Sequence, residues 1–201
     1  ASDIRLSPKA APMPLRYTSV VAPLPSTVPF VGPEAQERAR GAAFVARIGA
    51  NESVFGPSPK AIAAMRGAAA DCWMYCDPEN HDLKAAIAAF HSVGFDNVVV
   101  GEGIDSLFGY TVRMFVEPGD TVVSSLGAYP TFNFHVAGFG AKLVTVPYVD
   151  DREDPASLIA AVRRERPKLV YFATPDNPMG SCWPADAVQA LMDAMPDDTA
   201  L

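Results

Sequence analysis

Residues 97–125, NVVVGEGIDSLFGYTVRMFVEPGDTVVSS, decide how this chain folds. Asn97–Val100 is a short β-branched run and reads as a strand. Asp105–Val116 has helical apolar spacing, and Glu117-Pro118-Gly119-Asp120 is a turn. Asp120–Ser124 reads as a second strand. Strand, helix and strand within so short a stretch imply a right-handed crossover and parallel pairing.

The alternation continues downstream. Pro130–Phe139 reads as a helix and Lys142–Val146 as a strand. Asp154 caps a helix over Pro155–Arg166, Lys168–Ala173 is a strand, Ala185–Ala194 a helix, and Thr199–Leu201 opens another strand. Upstream, helices are expected over Glu34–Ala43, from Ser58-Pro59 to about Ala70, and over Asp82–Ser92. In the last of these Leu83, Ile87 and Phe90 share a face, and Gly94 is the expected C-cap. Ala1–Pro33 is proline-rich and reads as an extended arm, lying on a neighbouring subunit or free. The fold class that follows is α/β, with a mainly parallel sheet covered on both faces.

Bulk composition narrows the function. The chain has 201 residues, 49% hydrophobic and 19% charged, with a formal net charge of -7. That supplies a core, and a negative surface repels phosphate backbones, so no nucleic-acid partner is expected. No apolar run approaches the roughly 18–20 residues that span a bilayer, so no membrane partner is expected either. The N-terminal stretch lacks a secretory signal pattern. The three cysteines are Cys72, Cys76 and Cys182. Their odd number argues against a disulfide framework and suits the cytoplasm. Cys72 and Cys76 lie near Asp77 and His81, but no second ligand pair follows, so no metal site is expected.

Ligands of parallel α/β sheets bind at the carboxyl ends of strands, so the loops there are the places for chemistry. Gly101-Glu102-Gly103-Ile104-Asp105-Ser106 joins a strand to a helix N-terminus and suits a phosphate; it reads equally as a helix cap. A dinucleotide fingerprint would need a third glycine where Ser106 stands. Tyr129, in Gly127-Ala128-Tyr129-Pro130, can offer its ring face to a planar ligand or pack under the loop. Asn177, in Thr174-Pro175-Asp176-Asn177-Pro178-Met179-Gly180, can donate to a ligand oxygen or close an Asx-turn.

Taken in order, these loops resemble those of class I/II aminotransferases of the fold-type I pyridoxal-phosphate enzymes. The histidinol-phosphate aminotransferase branch is the nearest. Its N-terminal signature resembles Ala50-Asn51-Glu52 to Pro59, and its Tyr-x-Asp-Pro element matches Tyr75-Cys76-Asp77-Pro78. Its Gly-x-Gly-x-Asp loop matches Gly101–Asp105, its aromatic loop Tyr129, and its Asn-Pro-x-Gly turn Asn177-Pro178-Met179-Gly180. The resemblance runs from about Pro33 to Leu201. It implies a three-layer α/β/α large domain beginning near residue 81, preceded over residues 1–80 by an arm and small-domain segment.

It also implies a cofactor, pyridoxal 5'-phosphate, and roles by position. The N–H groups of Ile104 and Asp105 hold the phosphate, Tyr129 stacks on the pyridine ring, and Asn177 donates to O3′. Tyr75 reaches across a homodimer interface to the partner's cofactor phosphate, and Asn51 lines the substrate pocket. The implied activity is amino transfer between an amino acid and a 2-oxo acid or phosphorylated ketone. A lyase or decarboxylase of the same fold, or a non-catalytic ligand-sensing domain, are the alternatives.

Departures from the family pattern bear on the substrate more than on the cofactor. Met179 stands where threonine is usual, Ser53-Val54-Phe55-Gly56 where Asn-Pro-Leu-Gly is usual, and Ile104 and Ser106 replace small or acidic residues. The family's pyridinium aspartate is expected just past the strand that opens at Thr199, and none of Lys9, Lys60, Lys84, Lys142 and Lys168 stands in the family's Ser-x-x-Lys setting. No catalytic residue is therefore assigned within the chain. It is expected to be the N-terminal half of an enzyme, inactive and poorly folded when isolated.

Overall fold

The computed structural model describes residues 16–26, 30–49 and 52–201. They fall into two compact units, one of residues 16–26 with Val112–Leu201, the other of residues 30–49 and 52–111.

The first unit is built on a parallel sheet in the order β2-β1-β3, with β1 Thr121–Ser125, β2 Lys142–Val146 and β3 Leu169–Val170. Val123 of the central strand stands opposite Val144 on one side and Val170 on the other. Helices supply the crossovers: α5 Pro130–Gly138 between β1 and β2, and α6 Pro155–Glu165 between β2 and β3. Helix α7, Ala185–Ala194, follows β3.

Alternation along the strands assigns the two faces. Val123, Val146 and Val170 form one cluster with Leu158, Ala161 and Val162 of α6 and Leu191 of α7. Tyr171, one residue beyond Val170, turns to the opposite face, where Phe132 of α5 stacks on it at 4.4 Å between ring centroids. Helices therefore cover both faces, the layered α/β/α arrangement expected. Val122, Val123, Phe132, Leu158, Val162 and Leu191 are essentially inaccessible, which locates the core between β1 and its flanking helices.

Local signals act where the sequence puts them. Asp154 accepts a hydrogen bond from the Ser157 N–H at 3.0 Å, capping α6 ahead of Pro155. Ser58 does the same for α2, Pro59–Ala68, accepting from Ala61 N at 3.1 Å. Helices α1, Pro33–Arg40, and α3, His81–His91, lie within two or three residues of their expected bounds. Leu169 also bridges Ala200 in parallel, the strand opening expected at Thr199–Leu201.

Three expectations are corrected. Val98 is extended, but Val98–Val100 pairs with no strand among the described residues; a short 3-10 turn, Phe95–Asn97, precedes it. A β-branched run has strand propensity, but a strand exists only where a neighbour supplies the ladder. The strand expected at Lys168–Ala173 shortens to Leu169–Val170; Lys168 N and Tyr171 N still donate to β1, but Ala173 N has left the ladder for a side-chain carboxylate. Helix α3 is closed by Ser92, left-handed at φ 55°, with Gly94 outside the cap. Of the arm, residues 1–15 and 27–29 lie outside the described residues; Thr18–Leu24 folds into turns, and Val20 packs near Gly140.

The second unit holds α1, α2, α3 and most of α4, Ile104–Phe115. Of its described residues only Ala88 and Val98 are buried, while Phe55, Trp73, Tyr75 and Phe90 stand largely exposed. So much uncovered aromatic surface contributes little to folding and invites association. An isolated polypeptide of residues 1–201 should enhance the fluorescence of an apolar dye and melt broadly. A sharp calorimetric transition without dye binding would count against this reading.

Candidate cofactor site

The parallel pairing of β1 with β3 brings two loops to one edge of the sheet. At the carboxyl end of β1, Gly127 allows a close approach: a Cβ there would come within 2.8 Å of the Tyr148 ring. Two residues on, Tyr129 sits half-buried at the N-cap of α5, ahead of Pro130. Beyond β3, the turn carrying Asn177 is closed by hydrogen bonds from Asp176 N to Ser181 O and from Gly180 N to Asp176 O, both 2.8 Å. Gly180 takes φ 74°, a conformation that favours glycine. Asn177 stands exposed at the tip.

Beneath these loops lie two buried carboxyls that the sequence reading did not single out. Glu153 is 3% exposed and Asp176 4%. Glu153 Oε2 accepts from the Trp183 indole N–H at 3.1 Å and from Ala173 N at 3.3 Å. Asp176 Oδ2 accepts from the Tyr148 hydroxyl at 2.9 Å. Among the described residues, Asp176 Oδ1 and Ser181 Oγ have no hydrogen-bond partner.

This setting shifts the titrations. Burial raises Glu153 above the usual carboxylate range, and the charge of Asp176 adds to that; nearby Ser125, Ala173 N and Trp183 pull the other way. Burial also raises Tyr148, reinforced by the hydrogen bond it donates to Asp176. Tyr171 is pushed up to about 12, by burial first and then by Glu153, Asp176 and Tyr129. Both phenols therefore remain donors across the physiological range.

The second unit carries the other expected positions. Ile104 and Asp105 are the first two residues of α4, after Gly103 at φ 85°. First-turn N–H groups have no carbonyl one turn back, so they and the helix dipole suit an anion. A Cβ at Gly101 would crowd Leu107 at 3.2 Å, so the loop hugs its helix. Glu102 stays below the ordinary carboxylate range, held by its own backbone N–H first and then by Ser106. Tyr75 is fully exposed; beside it Asp77 accepts from His81 N at 2.8 Å and Glu79 N at 3.0 Å, fixing the loop to the start of α3. Those bonds, His81 N first, hold Asp77 below its usual range. Asn51 lies outside the described residues, although Gly49 and Glu52 line a cavity of about 270 Å³ with Phe30, Phe44, Arg47 and Ile48. Among the described residues no group of three His, Cys, Asp or Glu is placed to hold a metal, and no helix is long and apolar enough to cross a membrane.

Residues 45–201 match the family described as aminotransferase class I and II. The chain belongs to that family. The histidinol-phosphate aminotransferase of Hyphomonas neptunium is 36% identical over 182 residues, 89% of this chain and 49% of that protein. The one from Anaeromyxobacter is 35% identical over 179 residues, again 89% and 49%. Among solved structures, the Sinorhizobium meliloti histidinol-phosphate aminotransferase in complex with pyridoxal-5'-phosphate is 58% identical. It superimposes with a TM-score of 0.84 over 92% of this chain and 49% of that one. The chain thus spans about half the length of the relatives it matches.

The chain keeps Glu153 in a place no sequence pattern announces. Glu153 stands in the run Asp150-Asp151-Arg152-Glu153-Asp154, which reads as solvated, and its partners are 20 and 30 residues away. A carboxyl raised in the folded state adds stability below its unfolded value near 4.5 and loses it as pH climbs through the folded value. Glu153→Gln should therefore gain melting temperature relative to the parent as pH rises above about 4.5, the unfolded carboxylate range. Parallel melting profiles from pH 4 to 8 would show that Glu153 is not held neutral by its burial.

Proposed function

We propose that the full-length protein is a pyridoxal-phosphate-dependent aminotransferase of the histidinol-phosphate type. It moves an amino group between an amino acid and a 2-oxo acid or phosphorylated ketone. The observation that carries this is the edge shared by the Tyr129 and Asn177 loops, in a chain so similar to an enzyme solved with that cofactor.

The donor set fits a phosphorylated pyridine aldehyde. The first-turn N–H groups of Ile104 and Asp105 offer a dianion uncompensated donors at a helix N-terminus. Tyr129 offers a ring face to the pyridine, and Asn177 a neutral amide N–H to the phenolic oxygen. When bound, the cofactor supplies an electron sink for bonds at the substrate's α-carbon. The protein's part is to orient it: Pro130 and the α5 N-terminus set the Tyr129 backbone, and the closed turn sets Asn177.

Asn51 we assign to the substrate pocket and Tyr75 to the cofactor phosphate of a second subunit, which makes the active form a homodimer. Full exposure of Tyr75 leaves it available for such a role. The division into a small-domain segment over 1–80 and a cofactor-binding domain from 81 belongs to the same proposal. Three exposed, unpaired cysteines suit the cytoplasm.

The full-length protein, reduced with borohydride, should yield a single phosphopyridoxyl-lysine by mass spectrometry and transaminate a 2-oxo acid as a dimer. No lysine label, or an active monomer in sedimentation, would reject the corresponding part. Tyr129→Ala should weaken cofactor retention by about 0.5–1.5 kcal/mol beyond the loss of buried area. Unchanged affinity in a folded variant would remove Tyr129 from the site.

A further inference from the structure

We propose that Glu153 is the positioning residue of the Asn177 turn, its buried carboxyl stapling the turn's entry at Ala173 to its exit at Trp183. The proposal rests on the reading that Asn177 faces the cofactor.

The geometry is a two-ended clamp. One oxygen, Oε2, receives the backbone N–H of Ala173, where β3 gives way to the turn, and the indole N–H of Trp183, where the chain leaves it. Trp183 N donates to Thr174 Oγ1 at 3.0 Å, closing the same two ends a second time. The middle is pinned separately, by the Tyr148 hydroxyl on Asp176. These attachments lie on residues flanking Asn177, on segments anchored in the core.

Glu153 is well placed to act as an anchor. Its neighbour Asp154 caps α6, and Leu158, Ala161 and Val162 of that helix are inaccessible. The Trp183 ring packs on Phe172 at 4.8 Å between centroids, and both rest against the core cluster. Burying a carboxyl is unfavourable, and an apolar side chain would fill the space at less cost. What an apolar side chain lacks is an acceptor for two donors on opposite ends of a turn. Ends that drift blur the direction of the one amide carried between them, and hydrogen bonds weaken steeply with misalignment.

The test uses the full-length protein loaded with pyridoxal phosphate, with two readouts. Hydrogen exchange reports order in residues 174–183, and the pH midpoint of the cofactor's visible band reports the Asn177 contact. A donor to an ionised oxygen favours the deprotonated form, so Asn177→Ala should raise the midpoint. Glu153→Ala should speed exchange at each end of the turn about fivefold to tenfold, the factor carried by the one hydrogen bond lost there. It should also raise the midpoint, and the double variant should match Asn177→Ala alone. Glu153→Gln, which restores the acceptor, should behave as the parent in exchange and midpoint. Should Glu153→Ala not fold, Trp183→Phe removes one donor while keeping a ring, and should speed exchange at the exit end. Unchanged exchange in Glu153→Ala, or in Trp183→Phe where that variant stands in, overturns the proposal alone. So does a double-variant midpoint that exceeds the Asn177→Ala shift. An unmoved midpoint in Asn177→Ala overturns the Asn177 reading, and the proposal with it.

Discussion

Everything in the first unit depends on the parallel pairing of β1 between β2 and β3. Parallel neighbours cannot be joined by tight hairpins, so each connection must leave the sheet, cross a face and return. Here α5 and α6 make those crossings on opposite faces. The same geometry sends every strand's carboxyl end to one edge, which is how Tyr129 and Asn177, forty-eight positions apart in sequence, come to open on one edge. The core is therefore what selects which loops can cooperate.

A second constraint comes from what lies under those loops. Two carboxyls out of water and near each other cannot both be charged at low cost. The structure separates their tasks by donor. Asp176 takes the proton donor of a phenol whose own ionisation is suppressed by burial, while Glu153 takes two neutral N–H groups, and burial pushes it toward its protonated form. A protonated carboxyl still accepts through its carbonyl oxygen, so the clamp survives the loss of charge. Charge suppression and clamping are thus compatible.

The legible part of the fold was the part written locally. Asp154 with Pro155, and Ser58 with Pro59, cap helices from within four residues, and strand β2 follows from its own five residues. Asn97–Val100 misled because strand propensity is local while ladder pairing is not; Asn97 closes a 3-10 turn, and Val98–Val100 finds no strand partner among the described residues. Ser92 capping α3 misled because a serine at positive φ is uncommon and Gly94 was the ordinary choice. At the candidate site, the loops that carry Tyr129 and Asn177 were readable from turn chemistry and resemblance. Glu153, Tyr148 and Trp183 were not, since each acts through a partner at least 28 residues away, a distance no periodicity encodes.

That asymmetry has a physical origin. A residue that meets a ligand must present a particular chemistry at a strand end, so it leaves a mark in a short motif. A residue that holds such a group needs only an acceptor of the right length at the right depth, and many segments can supply one. Glu153 arises from an acidic connection that would serve as well in solvent; burial by α6 and the Trp183 ring converts it into an anchor. The turn it holds has little packing of its own: Thr174, Pro175 and the stretch Asn177–Gly180 are exposed. Without side chains to bury, a turn gains order chiefly from its hydrogen bonds, and those to buried, unsolvated acceptors are the least readily exchanged for water. In the proposed reading, the Asn177 amide on this exposed turn draws its direction from a carboxyl that is almost wholly buried.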